Sequence, residues 1–475
     1  MRRRAISGAL QPVANGNQLT TRGGTLLRQL GIVSATALVI SNMIGSGILT
    51  TTGYLAGDLG SAQLVLLIWA VGAVCALAGA FCYSELGVNF PSSGGEYVYL
   101  TQAFGPTWGF MTGWVSFFAG FSAPIAASAL AFSDYFGHFI PALKLESSRH
   151  IAGSGAWEFK FGPAQILACC LVAAFTILNC LGVQRAARVQ NVLTSIKVLV
   201  ILVFIAAGFA FGDGSWANFS HAAVRVSSTP IYSQFFVSLL FIYFAYSGWN
   251  AATYVAEELK QPARTLPLSL AIGTLLVTAL FIGLNVLFIY AVPMESMKGV
   301  VAIGALAATH LFGPAVAGFF SAAMLLSLLA TINAMVTIGP RVYYAMAKNG
   351  GFFSAAAKVD PRWHTPVNAI VAQGVCTMLM TVSPFVNLLL YIGLLLNFFA
   401  VMSVGSLFIF RRRPGWQKLG VVSFAYPLIP AFFVAMGIWI TIRAIQLRPI
   451  VSGLAALTVA AGALIYHFRI RENRD

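Results

Sequence analysis

The sequence predicts an all-α polytopic membrane protein with twelve transmembrane helices. Two features of the composition support this fold class: 59% of the 475 residues are hydrophobic and only 9% are charged. The mean hydropathy of +0.83 agrees with both. An ordinary soluble chain carries about 25% charged residues, because its surface needs polar cover. The composition therefore argues against a soluble enzyme or a soluble nucleic-acid-binding protein.

Twelve apolar segments have roughly the length, about 20 residues, that an α-helix needs to cross a bilayer. They are numbered helix 1 to helix 12 in chain order. The segments are 31–57, 62–88, 105–132, 163–182, 190–211, 231–256, 266–292, 314–345, 366–382, 385–410, 422–442 and 450–468. An even number of spans places both termini on one side of the membrane.

Basic residues predict which side that is, because Lys and Arg accumulate in cytoplasmic loops. With a cytoplasmic N terminus, the cytoplasmic side holds 20 of these residues, counting Arg341 near the end of helix 8, and the external loops hold 7. We therefore expect a multi-pass protein of a plasma membrane, such as a bacterial inner membrane, with both termini cytoplasmic. This bias accounts for the net charge of +15. One loop disagrees, since the segment after helix 2 brings Glu85 and Glu96 but no basic residue.

The order of the segments predicts five regions. They are a cytoplasmic N-terminal tail (1–28), a first group of five helices (29–212), a second group of five (230–410), helices 11 and 12 with a preceding basic loop (411–470), and a cytoplasmic C-terminal tail (471–475). The tail at the N terminus lacks the apolar run of a signal peptide. The six cysteines fall in apolar segments and the six histidines are scattered, so we expect no disulfide framework, metal or cofactor.

Two of the twelve spans are interrupted by small residues. Helix 1 contains Gly45-Ser46-Gly47 and helix 6 contains Ser247-Gly248. Glycine weakens a helix by up to about 1 kcal/mol relative to alanine, so both positions favour local unwinding. Interruptions at matching positions of two halves indicate a transporter built from inverted repeats. The alternative is that these glycines only allow close helix packing, which is our interpretation for Gly109 and Gly113 in helix 3.

Interrupted helices offer unpaired backbone groups at membrane depth, and these groups need partners. The N–H groups that start the second half of helix 1 suit a carboxylate. The carbonyl groups near Ile44 and those of Phe244–Tyr246 suit an ammonium group. We see no acidic side chain near either interruption. The sequence therefore predicts a site for a zwitterion without an additional positive charge, such as a neutral amino acid.

Lys197 lies inside helix 5 and is the one basic residue in the core of a span. Burying a lysine in a membrane costs about 3 kcal/mol even on insertion scales, which favours a functional role. The lysine could instead extend along the helix to the headgroup region, since it lies near one end of the span. Its position alone leaves both interpretations open.

The combined motifs resemble the amino acid–polyamine–organocation superfamily, specifically its L-type amino acid transporter branch, over residues 30 to 410. The motifs that carry the resemblance are Asn42-Met-Ile-Gly-Ser-Gly-Ile48, Ser93-Gly-Gly-Glu-Tyr97, Ala187-Arg-Val-Gln-Asn191, Lys197, Phe244-Ala-Tyr-Ser-Gly-Trp-Asn250, Glu257-Glu-Leu-Lys-Gln-Pro262, Leu266-Pro267, Asn333, Arg341 and Thr365-Pro366-Val367.

The resemblance implies the leucine-transporter-type fold, in which five helices are repeated in inverted orientation and helices 1 and 6 are discontinuous. It implies alternating access around an amino acid at the midplane, with Phe244 as an aromatic gate. The α-carboxylate would meet the amides of Ser46 and Gly47, and the α-ammonium the carbonyls of Met43 and Phe244. The implied substrate-binding residues are Met43, Ile44, Gly45, Ser46, Gly47, Phe244, Ala245, Tyr246, Ser247, Gly248 and Asn250, the last in a polar network of helix 6.

The resemblance also implies a role for Lys197, because sodium-independent members carry a lysine here in place of a sodium ion. Its ammonium would link a helix 1 carbonyl near Val39–Ser41 to Thr331 of helix 8, and so couple substrate binding to movement of helix 1. Three departures from the family pattern matter. The loop after helix 2 lacks the basic residues that relatives often carry there. Ser247 stands where glycine is common, and the loop 133–162 lacks the cysteine that bonds a heavy chain in animal members. We therefore expect no disulfide-linked heavy chain.

The leading hypothesis is a sodium-independent transporter of neutral L-amino acids that works by alternating access, with exchange favoured. Its partners would be a small amino acid and the lipid bilayer, with no nucleic acid. A proton-coupled amine, polyamine or amino acid permease is the alternative, and an amine carrier should show a carboxylate at the pocket. A non-transporting amino acid sensor is the third hypothesis. No nucleophile–base pair or metal set lies within the spans, so an enzyme is not expected.

Overall fold

The computed structural model describes residues 28, 30–92, 94–153, 158–348, 350–363 and 365–470. The predicted tails, 1–28 and 471–475, lie outside the described residues apart from Arg28, and so does Ser93 of the motif after helix 2. We call the membrane face at which helix 1 begins, near Ile32, the N face.

The twelve-helix architecture predicted from the sequence is confirmed. Within the described ranges, eleven helices are long and apolar enough to cross a membrane, and the shorter apolar helix Val367–Met380 stands at the ninth predicted position. The bounds are Ile32–Met43 (helix 1a), Ser46–Leu59 (helix 1b), Ala62–Asn89 (helix 2), Pro106–Phe136 (helix 3), Pro163–Cys180 (helix 4), Val183–Phe211 (helix 5), Ile231–Tyr246 (helix 6a), Ala251–Glu258 (helix 6b, a 3₁₀ helix), Pro262–Ala291 (helix 7), Ile303–Lys348 (helix 8), Val367–Met380 (helix 9), Phe385–Phe410 (helix 10), Leu428–Leu447 (helix 11) and Pro449–Ile465 (helix 12).

Short elements connect these helices. They are the α-helices Glu96–Phe104, Met294–Met297 and Gly420–Ser423, the 3₁₀ turns Pro141–Leu143, Leu145–Ser147, Trp216–Phe219 and Ser354–Ala357, a π-helical end at Tyr466–Ile470, and the antiparallel strands Arg149–Ala152 and Phe159–Phe161. Helix 3 also contains a π-helical segment, Ser116–Ser122, which its hydropathy does not reveal.

Three predicted helix starts differ from the structure by six residues or more. Helix 5 starts at Val183 rather than at 190, because its first two turns are polar and escape a hydropathy criterion. Helix 11 starts at Leu428 rather than at 422, since Pro427 takes the cap position, where the missing N–H costs little. Helix 8 extends back to Ile303 and bends at Gly313, whose φ of +75° interrupts the helix before Pro314.

Burial separates central helices from peripheral ones. In the most apolar window of helix 3, 78% of the residues are buried, compared with 28% in helices 11 and 12. Helices 1, 6, 8 and 10 fall between these values, at 61% to 67%. The two interrupted helices therefore lie in the interior, and helices 11 and 12 pack against helix 10 at the edge.

A buried ion pair neutralises Glu85 with a basic residue from another loop, although the loop after helix 2 has none of its own. Glu85 lies inside helix 2 and is fully buried, and Arg411, just after helix 10, reaches it with two nitrogens at 2.7 and 2.5 Å. The Trp416 indole N–H at 2.8 Å and the Leu419 amide at 3.0 Å donate to the same carboxylate. Four donors satisfy the buried charge, so helix 2 and the basic loop after helix 10 are joined at the N face.

We expect Arg411→Met to destabilise the protein by about 3 to 5 kcal/mol, because it leaves the buried Glu85 carboxylate without its cation. The matched control is Lys144→Met, which removes the exposed Lys144–Glu146 contact at 3.7 Å and should change stability by at most about 1 kcal/mol. Thermal unfolding in detergent measures both. Equal melting temperatures for the two variants would show that the buried pair does not anchor the loop.

Candidate functional site

Helix 1 is interrupted at Ile44 and Gly45. Both residues are extended, with φ/ψ of −74°/100° and −141°/−158°, and the helix resumes at Ser46. Gly45 is the N-cap of helix 1b and supplies no side-chain acceptor. The first N–H groups of helix 1b, those of Ser46 and Gly47, therefore have neither an intrahelical partner nor a cap, and they carry the positive end of the helix dipole.

Helix 6 is interrupted at Ser247 and Gly248. Helix 6a ends at Tyr246, Ser247 is extended, and Gly248 has a φ of +100° that side-chain-bearing residues rarely adopt. The chain then enters the 3₁₀ helix 6b. The Phe244 carbonyl accepts the Ser247 N–H at 3.1 Å, so one of the carbonyls at the end of helix 6a is already engaged.

The two interruptions are in direct contact. A Cβ atom on Gly248 would lie 2.7 Å from the carbonyl carbon of Asn42, and one on Gly47 would lie 2.4 Å from the Cα of Ala245. These glycines therefore lie at helix interruptions and also allow close helix packing, two roles that the sequence presents as alternatives. In helix 3, a Cβ on Gly109 or Gly113 would overlap a side chain of a neighbouring helix, which fits the packing interpretation made for that motif.

A cavity of about 190 Å³ lies beside the interruptions on the side of the N face. Of the predicted binding residues, Ser247, Gly248 and Asn250 line it, together with Asn42. The remaining predicted residues are buried next to the cavity without lining it: Met43, Ile44, Gly45, Ser46, Gly47, Phe244, Ala245 and Tyr246. Helices 3, 8 and 10 supply the other walls, among them Phe121, Met335 and Phe399, which the sequence could not assign.

The expectation that no acidic side chain lies near the interruptions is wrong. Glu96, at the start of the short helix Glu96–Phe104, lines the same cavity. One carboxylate oxygen accepts a hydrogen bond from Nδ2 of Asn250, and the other accepts one from the Tyr254 hydroxyl at 2.7 Å. Burial raises the pKa of the Glu96 carboxyl, and the hydrogen bond from Tyr254 opposes this shift. The glutamate is distant in sequence from both breaks, so only the fold brings it there.

Lys197 is fully buried, fifteen residues into helix 5, and does not extend to the membrane surface. Its ammonium donates to the Ile44 carbonyl at 2.6 Å, to the Thr331 hydroxyl at 3.0 Å and, more weakly, to the Ser41 carbonyl at 3.4 Å. The main helix 1 acceptor is thus Ile44, one turn beyond the expected Val39–Ser41. A cation here faces the negative end of the helix 1a dipole.

A chain of polar side chains continues from this junction along helices 1, 5, 8 and 4. Gln190 donates to the Ser41 hydroxyl at 3.2 Å and accepts from Asn333 at 2.9 Å. Asn179 in turn donates to Asn333 at 3.2 Å and accepts from Thr337 at 2.7 Å. A helical-wheel reading of any one of these helices could not have paired these residues, because each bond crosses between helices.

Aromatic residues fill the opposite side of the interruptions. Tyr54 of helix 1b stacks on Phe241 with ring centroids 5.8 Å apart and meets Phe385 at 6.2 Å. Beyond this layer, a wide cavity of about 960 Å³ is lined by Tyr54, Phe385 and loop residues of that face. Gly53 lies against the chain at Val300 and accepts the Gly299 N–H at 3.0 Å, which fastens helix 1b to the loop before helix 8.

Together, the fold and the site define a polytopic membrane carrier whose central cavity lies against two interrupted helices. Comparisons with known proteins agree. The model of the amino acid permease family matches residues 30–464. The large neutral amino acids transporter small subunit 2 of Mus musculus is 29% identical over 453 residues, which cover 94% of this chain and 81% of that protein. The serine/threonine exchanger SteT of Bacillus subtilis (strain 168) is 28% identical over 454 residues, covering 94% and 98%. The Asc-type amino acid transporter 1 of Mus musculus is 28% identical over 456 residues, covering 93% and 81%.

The chain belongs to the amino acid permease family. It is an amino acid transporter of the amino acid–polyamine–organocation superfamily, in the L-type branch that the sequence motifs resemble. Its family and relatives are transporters rather than enzymes.

We expect Gly248→Ala to destabilise the protein by about 3 kcal/mol. The positive φ contributes about 1 to 2 kcal/mol, and the overlap with Asn42 contributes at least about 1 kcal/mol. Gly453→Ala in helix 12 is the control, since nothing lies within 4 Å of a Cβ there and alanine favours a helix. Thermal unfolding of both variants checks this, and a Gly248→Ala protein as stable as Gly453→Ala would contradict the described backbone.

Proposed function

We propose that the protein exchanges neutral L-amino acids across the membrane by alternating access, without sodium. The observation that carries the proposal is the pair of contacting helix interruptions, which leaves backbone N–H groups of helix 1b beside carbonyl groups of helices 1a and 6a. These groups match a carboxylate and an ammonium on one carbon atom. The names of the relatives, which include a neutral amino acid transporter and a serine/threonine exchanger, support the same class.

The α-carboxylate would bind the N–H groups of Ser46 and Gly47. The α-ammonium would bind carbonyl groups such as that of Met43 and the remaining lone pair of Phe244. The Ile44 carbonyl contributes less, because it already accepts hydrogen bonds from Lys197 and Thr331. Phe244 would cover the bound amino acid. The side chain of this amino acid would extend toward the cavity wall at Ser247, which is bulkier than glycine.

Sodium independence is supported by the surroundings of Lys197. Its ammonium donates hydrogen bonds to the Ile44 carbonyl at 2.6 Å and to the Thr331 hydroxyl at 3.0 Å. These oxygens are the kind of ligand that a bound sodium ion would use. Lys197 and Thr331 would couple substrate binding to the position of helix 1a, since both contact the carbonyl of Ile44, which directly follows this helix. Movement of helix 1a away from helices 5 and 8 would break these contacts and widen the cavity on the N face.

Alternating access also assigns the two groups of five helices, 29–212 and 230–410, to inverted repeats, with residues 411–470 outside them. The N face would be cytoplasmic, as the basic residues favour, and the layer of Tyr54, Phe241 and Phe385 would close the external side. We further propose that the protein works without a disulfide-linked heavy chain.

Proton-coupled transport is the second candidate. The observation that favours it is the position of Glu96 at the cavity, where the sequence alone predicted no carboxylate. Both carboxylate oxygens already accept hydrogen bonds from helix 6b, however, so Glu96 is not free to bind an amine. This arrangement fits a neutral substrate better than a polyamine.

Uptake of labelled L-leucine, L-serine, L-arginine and L-glutamate into proteoliposomes tests the proposal. We expect uptake of a neutral amino acid when unlabelled amino acid is inside, and the same rate when choline replaces sodium. Uptake into empty vesicles driven by external acid would support the proton-coupled candidate instead. Failure to transport any of the four by folded protein would contradict the proposal.

We expect Lys197→Met to reduce the exchange rate by about tenfold or more, because methionine fills the space but cannot tie the end of helix 1a to helix 8. Thr331→Val, which removes one of the two ties, should give a smaller loss. Lys358→Met is the control, since Lys358 is exposed. Binding and exchange of the transported amino acid are measured for each variant. Unchanged values of both for Lys197→Met would exclude the coupling role.

A further inference from the structure

Glu96 makes contacts that the proposed substrate interactions do not use. Its two carboxylate oxygens accept hydrogen bonds from Asn250 and from Tyr254, and Nδ2 of Asn250 also donates to the Tyr254 hydroxyl at 3.2 Å. Asn250 occupies the N-cap position of helix 6b without a capping hydrogen bond to its side chain, and Tyr254 stands about one turn later. The carboxylate therefore holds the first turn of helix 6b from outside the helix.

This turn is continuous with the interruption that we assign to the substrate. The Asn250 carbonyl accepts the Thr253 amide at 2.9 Å and the Thr253 hydroxyl at 2.7 Å. The Ala251 amide donates to the Gly248 carbonyl at 2.9 Å. The orientation of Asn250 thus sets the path of the non-helical residues before it, which include Ser247 and Gly248.

The loop that carries Glu96 is shaped for this approach. Gly95 has a φ of +50°, and a Cβ there would lie 2.8 Å from the Tyr254 ring. A larger residue at position 95 could not bring the glutamate so close to helix 6b. The contact is therefore built into the motif Gly94-Gly95-Glu96 rather than made by a flexible surface side chain.

We propose that Glu96 is a positioning residue of the amino acid site, whose ionised carboxylate orders the helix 6 interruption and whose protonation loosens it. The inference rests on the proposed function, since it assumes that the interruption binds the amino acid. It predicts that affinity for the transported amino acid depends on pH through a group outside the proposed contacts with the α-carboxylate and the α-ammonium.

The direction of the pH dependence follows from the hydrogen bonds. An ionised carboxylate accepts from both Asn250 and Tyr254, whereas a protonated one has lost part of its acceptor capacity. Affinity should therefore rise as the pH rises through the pKa of Glu96, which burial raises above its ordinary value. The groups that face Glu96 are Tyr83 of helix 2, Tyr99 of its own helix and Tyr254.

Arg341 of helix 8 lines the same cavity. Tyrosine and arginine side chains ordinarily titrate above about pH 9. Lys197, which is buried at the helix 1 interruption, is present in wild type and in Glu96→Gln alike. A change in affinity between pH 5.5 and 8 that Glu96→Gln abolishes is therefore due to Glu96.

The transport test compares wild type with Glu96→Gln, Tyr254→Phe and the double variant. The readout is the concentration for half-maximal exchange of L-leucine or L-serine, whichever wild type transports faster, from pH 5.5 to 8. Glutamine mimics the protonated acid, so Glu96→Gln should match wild type at pH 5.5. At pH 8 it should need about tenfold more amino acid, a difference of about 1.4 kcal/mol. The double variant should be no worse than Glu96→Gln alone.

Asp213→Asn, a neutralisation at an exposed loop position, is the control and should keep the wild-type pH profile. A Glu96→Gln profile parallel to that of wild type would overturn the inference. A loss of affinity in the double variant equal to the sum of the two single losses would overturn it as well, because the effects of residues that act as one unit are not additive.

Amide hydrogen exchange separates this inference from the proposed function. Residues 247–258 should exchange faster in Glu96→Gln than in wild type, while helices 11 and 12 are unchanged. Unaltered exchange in residues 247–258 would overturn the positioning role whether or not the protein transports any amino acid tested. If wild type transports none of them and the exchange still rises, the positioning stands and the proposed substrate is wrong.

Discussion

The need to pair every backbone polar group inside a bilayer is the constraint on which this structure depends. Helices satisfy it along their length through their own hydrogen bonds. Helices 1 and 6 violate it at two places, and both lie in the interior, where other helices surround them. An unpaired N–H or carbonyl group is costly in lipid, but next to a cavity it becomes a binding group. The interruptions therefore create a site in which the interrupted residues themselves, Ile44–Gly45 and Ser247–Gly248, carry no charged side chain.

The interruptions remain ordered because neighbouring elements hold them from three directions. Lys197 and Thr331 bind the carbonyl of Ile44, the residue that directly follows helix 1a. The absence of a side chain at Gly47 and Gly248 allows the backbones of helices 1 and 6 to touch. Glu96 holds the start of helix 6b. Each of these contacts joins a different part of the fold to the same few residues, so movement at the site would break contacts with helices 5 and 8 and with the short helix Glu96–Phe104.

The acidic loop after helix 2 contradicts the charge pattern of the other loops, and the fold explains why. Glu85 is neutralised inside the protein by Arg411, which comes from a basic loop more than 300 residues later. Glu96 is turned inward toward helix 6. Neither carboxylate faces the membrane surface freely, so neither needed a basic neighbour in its own loop.

The sequence by itself determined the number of helices, their order and the two points where helices break, because hydropathy and glycine act locally. It also marked Lys197, since a charge in an apolar span is conspicuous. Tertiary structure decided what these features contact. The choice of Ile44 as the acceptor for Lys197, the chain from Ser41 to Asn179 and the approach of Glu96 to Asn250 all join separate helices. Such pairings depend on the rotation and depth of each packed helix, and a single sequence contains no local signal for either.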